Sequence, residues 1–334
     1  MMMLKDYWRN RLNGAEQQIY DKCLAAFSKR SEKVSCGDVN LNRMDTIYNA
    51  VCNDHPELYF LPSSMQVRQT RALFFTNTEL VIDNLYNRFT IGRYENEWAT
   101  LRNKLANMLS SARTEVEKEK IICEYFVRNT VYEIDNKYNQ NAAAALFEHR
   151  AQCSGISKAV KMVFDAFGID CMVITGECVS RSGGMGPHAW NIVRLNGKAY
   201  HLDVTNMIGA NSPGSSSVNF VYFNYSDNDI RNTHAWDRSS APKCDADSSA
   251  DRGVASSSGV GSMVHISSAI DLKSRLKSAI TVGKKQLTFI SQLPVSDDEL
   301  MRTIKNCCQE AAEMAHRNLA FSISITGKTV TLSW

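Results

Sequence analysis

Apolar residues repeat at helical spacing between positions 151 and 169. In the stretch AQCSGISKAVKMVFDAFGI they recur every three or four residues from Ile156 to Phe167. This spacing predicts an amphipathic helix with one buried face, and Gly168 supplies a signal for its C-terminal end. The predicted helix begins at Cys153, where a serine or aspartate cap would be the ordinary choice.

The pattern changes from helical spacing to alternation after this helix. CMVITGE (Cys171–Glu177) and VNFVYFNYS each predict a strand, and Ser180–Pro187 predicts a glycine-rich loop. HAWNIVRL and KAYHLDVT flank Asn196 and Gly197, a pair that favours a two-residue hairpin turn. We therefore expect a small antiparallel sheet after the helix.

The residues before position 96 predict a mainly helical region. GAEQQIYDKCLAAF and LNRMDTIYNAVC have helical spacing, and TRALFFTN predicts a short strand. A second helical run covers NEWATLRNKLANMLSSARTEVEKEKIICEYFVRNT.

The C-terminal part of the chain begins with a segment that has almost no large apolar residue. Ser239–Ser262 is rich in Ser, Ala, Gly and Asp, a composition typical of a linker. The residues beyond it predict a small α+β module with helix Ser268–Ile280, strand Gln286–Ser291, helix Asp297–Arg317 and a hairpin around Gly327. The predicted division of the chain is a helical N-terminal region (1–95), a central core (96–245), a flexible linker (246–262) and the small module (263–334).

Composition and charge are those of a soluble globular protein. The 334 residues are 44% hydrophobic and 22% charged, with a net charge of +3. The basic cluster Lys29, Arg30 and Lys33 is interrupted by Ser31 and Glu32, which favours a solvated helix face over a nucleic-acid site. No stretch approaches the ~20 apolar residues of a membrane span, and the start MMMLKDYWRNRLNG lacks the apolar core of a secretory signal. We expect a cytoplasmic protein with neither nucleic acid nor membrane among its partners; export by a route without such a signal leaves no trace in the sequence.

Ten cysteines are scattered along the chain without a C-x-x-C pair. Zinc sites commonly use such pairs, so no metal site is predicted. Disulfides are not expected in a long chain without a signal peptide. Most of the ten should be small buried apolar residues, and Cys153 needs a separate explanation.

The predicted hairpin brings a histidine and an aspartate to one face. When Asn196 and Gly197 form the loop, Trp190 lies opposite Asp203. His188 is then a diagonal neighbour of Asp203 at roughly 7 Å between backbones, within reach of an imidazole–carboxylate hydrogen bond. The other face carries apolar residues suited to a core: Ala189, Val193, Leu195, Tyr200, Leu202 and Val204.

A cysteine at a helix N-terminus is well placed for nucleophilic chemistry. Backbone N–H groups and the positive end of the helix dipole favour the thiolate. A nearby histidine strengthens this effect, and a carboxylate that orients the histidine completes a triad. The small residues around Cys153 leave a substrate close access to the sulfur. Cys153, His188 and Asp203 are therefore the predicted catalytic residues.

Each of these residues also has an ordinary structural explanation. A single cysteine that begins a helix is usually structural, and a single histidine on a strand usually makes an ordinary hydrogen bond. His201 and His234 are rival candidates for the base. His201 shares the face of Asp203 but lies further from the open end of the hairpin, and His234 lies in a loop with Trp236 that closes the cleft. His188 fits the geometry best.

These segments together resemble the transglutaminase-like superfamily, in particular bacterial members assigned as cysteine proteases. KIICEYFVRNTVYE, AAAALFEHRAQCSGISKAVKMVFDAFGIDCMVITGE, HAWNIVRLNGKAYHLDVT and YFNYSDNDIRNTHAWD match it in family order and cover roughly residues 120–245. The resemblance implies an α+β, papain-like transglutaminase core, with a helix packed on an antiparallel sheet, and it assigns catalysis to Cys153, His188 and Asp203. DHPELYFL (Asp54–Leu61) is similar to a segment often found upstream in these proteins, so the N-terminal region is expected to belong to the same architecture.

The chain departs from the family pattern just after the aspartate. The family often continues DVTW, whereas this sequence reads DVTN, so Asn206 replaces an aromatic residue of the cleft wall. The oxyanion hole needs a second donor besides the backbone N–H of Cys153. The resemblance favours Tyr132, which is equally well explained as a core tyrosine. Gln152 is an alternative donor, and Trp190 is a further cleft candidate.

Three functions are compatible with these residues. The first is a cysteine hydrolase, a peptidase or amidase that cleaves a peptide or other amide bond through a thioester. The second is an acyl transferase of the transglutaminase type, and the third is a non-catalytic interaction module. A complete triad argues against the third, and the small Asn206 with nearby Gly- and Ser-rich loops favours hydrolysis over transfer. The mechanism needs no cofactor and no metal. The expected substrate is a peptide or protein, whose identity the sequence leaves open, as it does the oligomeric state.

Overall fold

The computed structural model describes most of the chain. The described residues are 3–134, 138–179, 184–211, 218, 220–246, 264–266, 269–281, 285–291, 293, 295–315, 317, 319–326 and 329–334. They belong to two compact units, one of Met1–Cys178 with Gly186–Asp251 and the other of Val179–Met185 with Arg252–Trp334. No helix within the described ranges has both the length and the apolar surface that crossing a bilayer requires.

The N-terminal part of the larger unit combines two helices with a three-stranded sheet. These elements are α1 (Gly14–Ser28), β1 (Lys33–Gly37), α2 (Met44–Asp54), β2 (Gln66–Ala72) and β3 (Phe75–Val81), with the antiparallel strands in the order β1-β3-β2. The prediction of one short strand in TRALFFTN is wrong, because the chain turns at Leu73 and Phe74 between β2 and β3. These side chains are 93% and 97% exposed, so the apolar run forms a hairpin tip.

Two long helices follow and contribute to the same core. α3 (Arg88–Leu109) begins after Asn87, whose side chain accepts a hydrogen bond from a backbone N–H of the first turn. α4 (Glu115–Asn129) begins with a capping box between Thr114 and Glu117, in which each side chain binds the backbone N–H of the other. Buried residues of both helices join the hydrophobic core that also contains the N-terminal region.

A short pair of parallel strands leads to the next long helix. β4 (Val131–Tyr132) pairs with β5 (Arg150–Ala151), and the short helix α5 (Ala142–Leu146) lies between them in the chain. Helix α6 (Cys153–Ala166) follows β5 and buries its apolar stripe. The helix predicted from the spacing of apolar residues is confirmed.

The central sheet has four strands in the order β8-β7-β6-β9. They are β6 (Asp170–Val179), β7 (Met185–Leu195), β8 (Lys198–Leu202) and β9 (His234–Ala235). β7 and β8 form the predicted hairpin, with Leu195 opposite Lys198. Asn196 and Gly197 have φ values of 49° and 79°, the left-handed conformation that this two-residue turn requires. The predicted register is confirmed.

Helix α6 packs on this sheet through buried hydrogen bonds as well as apolar contacts. The side-chain amide of Asn191 in β7 donates to the backbone carbonyl of Ser157 in α6 over 2.9 Å. Lys161 of α6 donates to the backbone carbonyl of Cys171 in β6, also over 2.9 Å. The expected α+β architecture, with a helix against an antiparallel sheet, is confirmed.

The chain leaves the sheet at Asp203. The prediction that the second strand of the hairpin continues to Thr205 is wrong, since β8 ends at Leu202 and helix α7 (Val204–Gly209) follows at once. Asp203 caps this helix: its carboxylate accepts a hydrogen bond from the backbone N–H of Asn206 over 2.9 Å. A side-chain acceptor at the cap satisfies an N–H group of the first turn and so favours a helix at this point.

The segment after α7 also differs from its prediction. The described residues of VNFVYFNYS form turns, apart from one bridge between Tyr225 and His201. Tyr222 and Asn224 have positive φ values of 56° and 53°, which an extended strand does not allow. The predicted strand is therefore wrong, and the short helix α8 (Asp227–Ile230) follows.

Three predicted connecting segments fall partly or wholly outside the described residues. In the loop predicted for Ser180–Pro187, residues 180–183 lie outside, and Met185 already belongs to β7. Of the predicted linker, residues 247–262 lie outside, while Cys244 in its first part is fully buried. The predicted hairpin tip at Gly327 lies outside as well.

The smaller unit contains an α+β module. Its elements are β10 (Val264–Ile266), α9 (Ala269–Thr281), β11 (Gln286–Ser291), α10 (Asp297–Met314), β12 (Ser322–Thr326) and β13 (Thr329–Ser333). The sheet order is β10-β11-β13-β12, with only the β10–β11 pair parallel. The predicted helices and strands occur at these positions. β10 was not predicted, because three residues are too few to establish a period.

Candidate active site

Cys153 is the first residue of α6. At this N-terminus the backbone N–H groups have no hydrogen-bond partners within the helix. The positive end of the helix dipole stabilises a negative charge at this position. Cys153 is partly exposed, whereas the other nine cysteines, all within the described ranges, are buried. Cys153 therefore combines an electrostatically favoured position with access to solvent.

The glycine two positions after Cys153 serves packing. Gly155 is buried, and a Cβ atom there would lie 2.4 Å from the backbone oxygen of Asn139 and 2.9 Å from that of Asn141. Both oxygens belong to the segment that leads into α5. The expectation that the small residues open a path to the sulfur is therefore corrected for Gly155, which allows this segment to pack against α6.

His188 lies on β7 and interacts with both other predicted catalytic residues. Its Nε2 donates to Asp203 Oδ2 over 2.8 Å, and the Cys153 side chain contributes to the raised pKa of its ring. Because Asp203 engages Nε2, Nδ1 is the ring nitrogen that is left for an interaction with Cys153. Trp190 stacks on the imidazole, with ring centroids 5.9 Å apart and planes inclined by 17°. The ring is thus held in both position and plane.

The surroundings of His188 favour its protonated form. Burial alone would lower its pKa, but the charge and hydrogen bond of Asp203, together with Cys153, raise the pKa of His188 to about 10. The imidazole is therefore a cation at neutral pH. A cationic imidazole beside a cysteine is the arrangement in which a histidine assists a sulfur nucleophile.

Asp203 is fully buried and accepts hydrogen bonds at both carboxylate oxygens. Oδ1 accepts from the backbone N–H of Asn206 over 2.9 Å. Oδ2 accepts from Asn206 Nδ2 over 2.7 Å, from His188 Nε2 over 2.8 Å and from His234 Nε2 over 2.9 Å. Burial opposes ionisation, but His188 and His234 hold the pKa of Asp203 well below its ordinary value. Asp203 therefore carries the negative charge that orients His188.

His201, one rival for the base, is engaged elsewhere. It is fully buried, its Nε2 donates to Asp227 Oδ1 over 2.9 Å, and its Nδ1 accepts from Trp190 Nε1 over 3.0 Å. Burial holds the pKa of His201 below its ordinary value, although Asp227 opposes this effect. Both ring nitrogens of His201 are thus used in a structural network behind His188.

His234, the second rival, contacts the carboxylate of the site. It is 2% exposed, and its Nε2 donates to Asp203 Oδ2 over 2.9 Å. Sequence reasoning placed it in a loop that closes the cleft and missed this contact. The contact depends on β9, where His234 pairs with Cys178 of β6. A two-residue strand that pairs across more than fifty residues leaves no local pattern to detect.

Of the two candidates for the second oxyanion donor, Gln152 directly precedes Cys153 in the chain, and Tyr132 lies on the strand that pairs with the segment before Cys153. Tyr132 is 41% exposed and pairs with Ala151 in the β4–β5 ladder. Gln152 donates its backbone N–H to Asn139 over 2.9 Å and its side-chain amide to the carbonyl of Ile134 over 2.7 Å. The oxyanion role of either residue stays a prediction.

Trp190 and Asn206 are placed differently from the expected cleft wall. Trp190 is 1% exposed, and its indole N–H is bound by His201, so it packs behind the imidazole of His188. The side-chain amide of Asn206 donates to Asp203 Oδ2 and to Cys178 Sγ, over 2.7 and 3.2 Å. Trp190 thus stacks on His188, and Asn206 donates to Asp203, so both side chains contact the predicted catalytic residues.

Within the described ranges, two groups of side chains bring possible metal ligands together, with the ligand atoms of each group within 4.8 Å of one another. The first group is Cys178, His188, Asp203 and His234, and the second is His201, Asp227 and Cys244. In both groups the histidine–aspartate contacts of 2.8–2.9 Å are those of hydrogen bonds. The sequence-based expectation of a mechanism without metal stays a prediction.

Residues 102–204 match the sequence model of the transglutaminase-like superfamily. This range contains Cys153, His188 and Asp203 and ends before Asn206 and His234. The resemblance predicted from the motifs is confirmed for this domain, which begins and ends earlier than the predicted residues 120–245. The predicted fold class, α+β with a papain-like core, is confirmed with it.

Three solved structures are similar to parts of the chain. A structure described as a TGase is 18% identical over 54% of this chain and 51% of its own, with a TM-score of 0.28. A putative cysteine protease from Cytophaga hutchinsonii is 12% identical over 42% of this chain and 62% of its own, with a TM-score of 0.29. A putative protease from Parabacteroides distasonis ATCC 8503 is 12% identical over 47% of this chain and 37% of its own, with a TM-score of 0.26. The chain spans about half the length of the first of these. No curated protein matches it.

Proposed function

We propose that the transglutaminase-like domain of residues 102–204 is a thiol-dependent hydrolase, a peptidase or amidase that acts through Cys153, His188 and Asp203. One observation carries the proposal: a partly exposed thiol at a helix N-terminus influences the pKa of a histidine that is hydrogen-bonded to a buried carboxylate. The substrate class that suits this chemistry is a peptide or protein amide.

The first half of the reaction forms an acyl-enzyme. The thiolate of Cys153 attacks the carbonyl carbon of the amide and forms a C–S bond. The carbonyl oxygen takes up the negative charge, and the backbone N–H of Cys153 donates to it. His188 then gives its proton to the leaving nitrogen, the C–N bond breaks, and an amine departs. A thioester on Cys153 remains.

The second half of the reaction resolves the thioester with water. The imidazole of His188, now neutral, accepts a proton from water as the oxygen attacks the thioester carbon. The C–S bond breaks, the carboxylic acid leaves, and the thiolate of Cys153 is restored beside a protonated His188. Asp203 keeps the proton of Nε2 in place throughout, so that Nδ1 exchanges the proton that moves.

The surroundings of the triad favour water over an amine as the second nucleophile. Transfer to an amine needs a site that excludes water, commonly with aromatic walls. Asn206 stands where such proteins often carry an aromatic residue, and its amide is directed at Asp203 and Cys178. Trp190 is buried behind His188. Neither residue supplies an apolar wall around the thioester.

The experiment that tests this function uses a library of glutamine-containing peptides with and without a labelled primary amine. The full chain is incubated with each mixture, and the products are identified by mass. The proposal predicts cleavage or deamidation in excess of amine incorporation, with both lost in Cys153→Ala. Amine incorporation well above hydrolysis would contradict the hydrolase assignment and leave the triad standing. Identical products from Cys153→Ala would contradict the triad as well.

A further inference from the structure

Asp203 Oδ2 accepts hydrogen bonds from two imidazole rings. His188 Nε2 lies 2.8 Å from this oxygen and His234 Nε2 lies 2.9 Å from it. The side chains of Asp203 and His234 are both fully buried. The mechanism proposed above uses only the first of these contacts, so a buried histidine beside the triad is left without a role.

The fold brings His234 to this position through a close approach of two strands. β9 pairs with β6, where His234 lies opposite Cys178. A Cβ atom at Gly176 of β6 would lie 2.2 Å from the backbone oxygen of Ala235 in β9. Glycine at position 176 is therefore what allows β9 to lie close enough for His234 to reach Asp203.

Hydrogen bonds and ring contacts hold the ring of His234 in place. Its Nδ1 lies 2.9 Å from Thr233 Oγ1, and its ring packs against Trp190 and Tyr222 with centroids 4.9 and 5.5 Å away. The titratable groups that face it are Asp203, His188, Cys178 and Tyr222, with Cys178 Sγ 3.9 Å from Nδ1. Because both ring nitrogens are hydrogen-bonded, His234 is not free to act as the base for Cys153.

The contacts of His234 bear on the orientation of Asp203. The carboxylate can rotate about its last torsion, and its direction decides whether Oδ2 meets His188. The backbone N–H of Asn206 holds Oδ1, whereas the Asn206 amide and His234 hold Oδ2. Removing His234 leaves a buried carboxylate with one donor fewer, and such a group reorients or loses charge to recover the lost interaction.

We propose that His234 is a positioning residue, which fixes Asp203 Oδ2 toward His188 and thereby sustains the thiolate of Cys153. The proposal deepens the proposed function and rests on it. It assigns a role to a residue outside the matched range of 102–204, so the catalytic unit extends to β9.

Two amide substitutions at His234 distinguish a positioning role from a packing role. The side-chain nitrogen of glutamine occupies the place of His Nε2, and that of asparagine occupies the place of Nδ1. His234→Gln therefore keeps a donor toward Asp203, whereas His234→Asn keeps only the polar group near Thr233. The readout is the rate at which iodoacetamide alkylates Cys153 in the full chain from pH 5 to 9, with the melting temperature measured for each variant. His201→Gln is the control, because it alters a buried histidine that does not contact Asp203.

The proposal predicts that His234→Asn slows alkylation of Cys153 at pH 6–7 by about tenfold or more, the scale on which orienting hydrogen-bond partners act, and moves the half-maximal rate to higher pH. His234→Gln should restore most of the rate, and His201→Gln should keep the wild-type profile at a lower melting temperature. Equal profiles for the two His234 variants, whether both are slow or both resemble the wild type, would overturn the proposal.

Two measurements on the wild-type chain decide the remaining cases. If His234→Asn does not fold, the 15N shifts of the histidines in the wild-type chain decide: a protonated Nε2 on His234 supports the proposal, and a bare Nε2 overturns it. A wild-type Cys153 that is not alkylated faster than a free thiol would instead contradict the proposed function itself. A failure of the positioning role and a failure of the triad are therefore distinguishable.

Discussion

A 2.8 Å hydrogen bond joins His188 Nε2 to Asp203 Oδ2. His188 lies on β7, and Asp203 caps α7, the helix that follows β8. This bond fixes which nitrogen of His188 faces Cys153. Asp203→Asn should remove the charge while leaving an oxygen for the backbone N–H of Asn206, so we expect a folded protein. Turnover should fall by about 10⁴-fold, as in triads whose aspartate is replaced by its amide. Turnover within tenfold of the wild type would show that the imidazole does not need this partner.

The two histidines of the hairpin, His188 and His201, are expected to give opposite phenotypes when substituted. His188→Ala should abolish turnover and slow alkylation of Cys153, because it removes the base and the imidazolium. His201→Ala should leave alkylation of Cys153 nearly unchanged but cost about 1–3 kcal/mol of stability, since Trp190 and Asp227 lose a buried partner. The measurements are alkylation rates and urea unfolding curves for both variants. A stable but unreactive His201→Ala protein would reverse the assignment.

The raised pKa of His188 predicts a pH dependence of stability. An unfolded histidine releases its proton near pH ~6.5, whereas the pKa of His188 in the folded protein is about 10. The stability that this group contributes is therefore complete below the unfolded value and is lost as the pH rises from there to about 10. The slope for one proton is at most about 1.4 kcal/mol per pH unit. Urea unfolding of wild type and His188→Gln across pH 6–10 should give a steeper decline for the wild type. Parallel declines would exclude the raised pKa.

Replacing Gly155 should change both the stability of the protein and the reactivity of Cys153. A methyl group there would lie 2.4 Å from the backbone oxygen of Asn139, so Gly155→Ala should displace the start of α6. We expect a loss of about 1–3 kcal/mol, the usual cost of overpacking, together with slower alkylation of Cys153. Ser154→Ala, one residue earlier and partly exposed, is the matched control. Unchanged stability and alkylation in Gly155→Ala would show that the two segments are not in close contact.

Local patterns predicted the elements of the site, and long-range contacts account for what they missed. The apolar stripe of α6 and the Asn196-Gly197 turn each lie within one segment, so the helix that begins at Cys153 and the hairpin register could be read from the sequence. The register in turn brought His188 and Asp203 within reach of each other. These inferences needed no knowledge of how distant segments pack.

The missed features depend on residues that are far apart in the chain. Asp203 ends β8 by capping α7, where the alternation of apolar residues had favoured a continuing strand. The approach of His234 to Asp203 requires β9 to pair with β6, and the burial of Trp190 places that side chain in the core. Periodicity says which face of an element is apolar, but it does not say which other segment covers that face.

Selective alkylation of Cys153 shows whether its thiol is an activated nucleophile. The full chain is treated with limiting iodoacetamide at pH 6, and the modified cysteines are identified by mass spectrometry, with a free cysteine derivative as the reference. Few free thiols are ionised at this pH, because their pKa is ~8.5. We expect Cys153 to react first among the ten cysteines and about tenfold or more faster than the reference, and we expect His188→Ala to remove this advantage. A Cys153 that reacts no faster than the reference, or several cysteines that react at one slow rate, would contradict an activated nucleophile at this site.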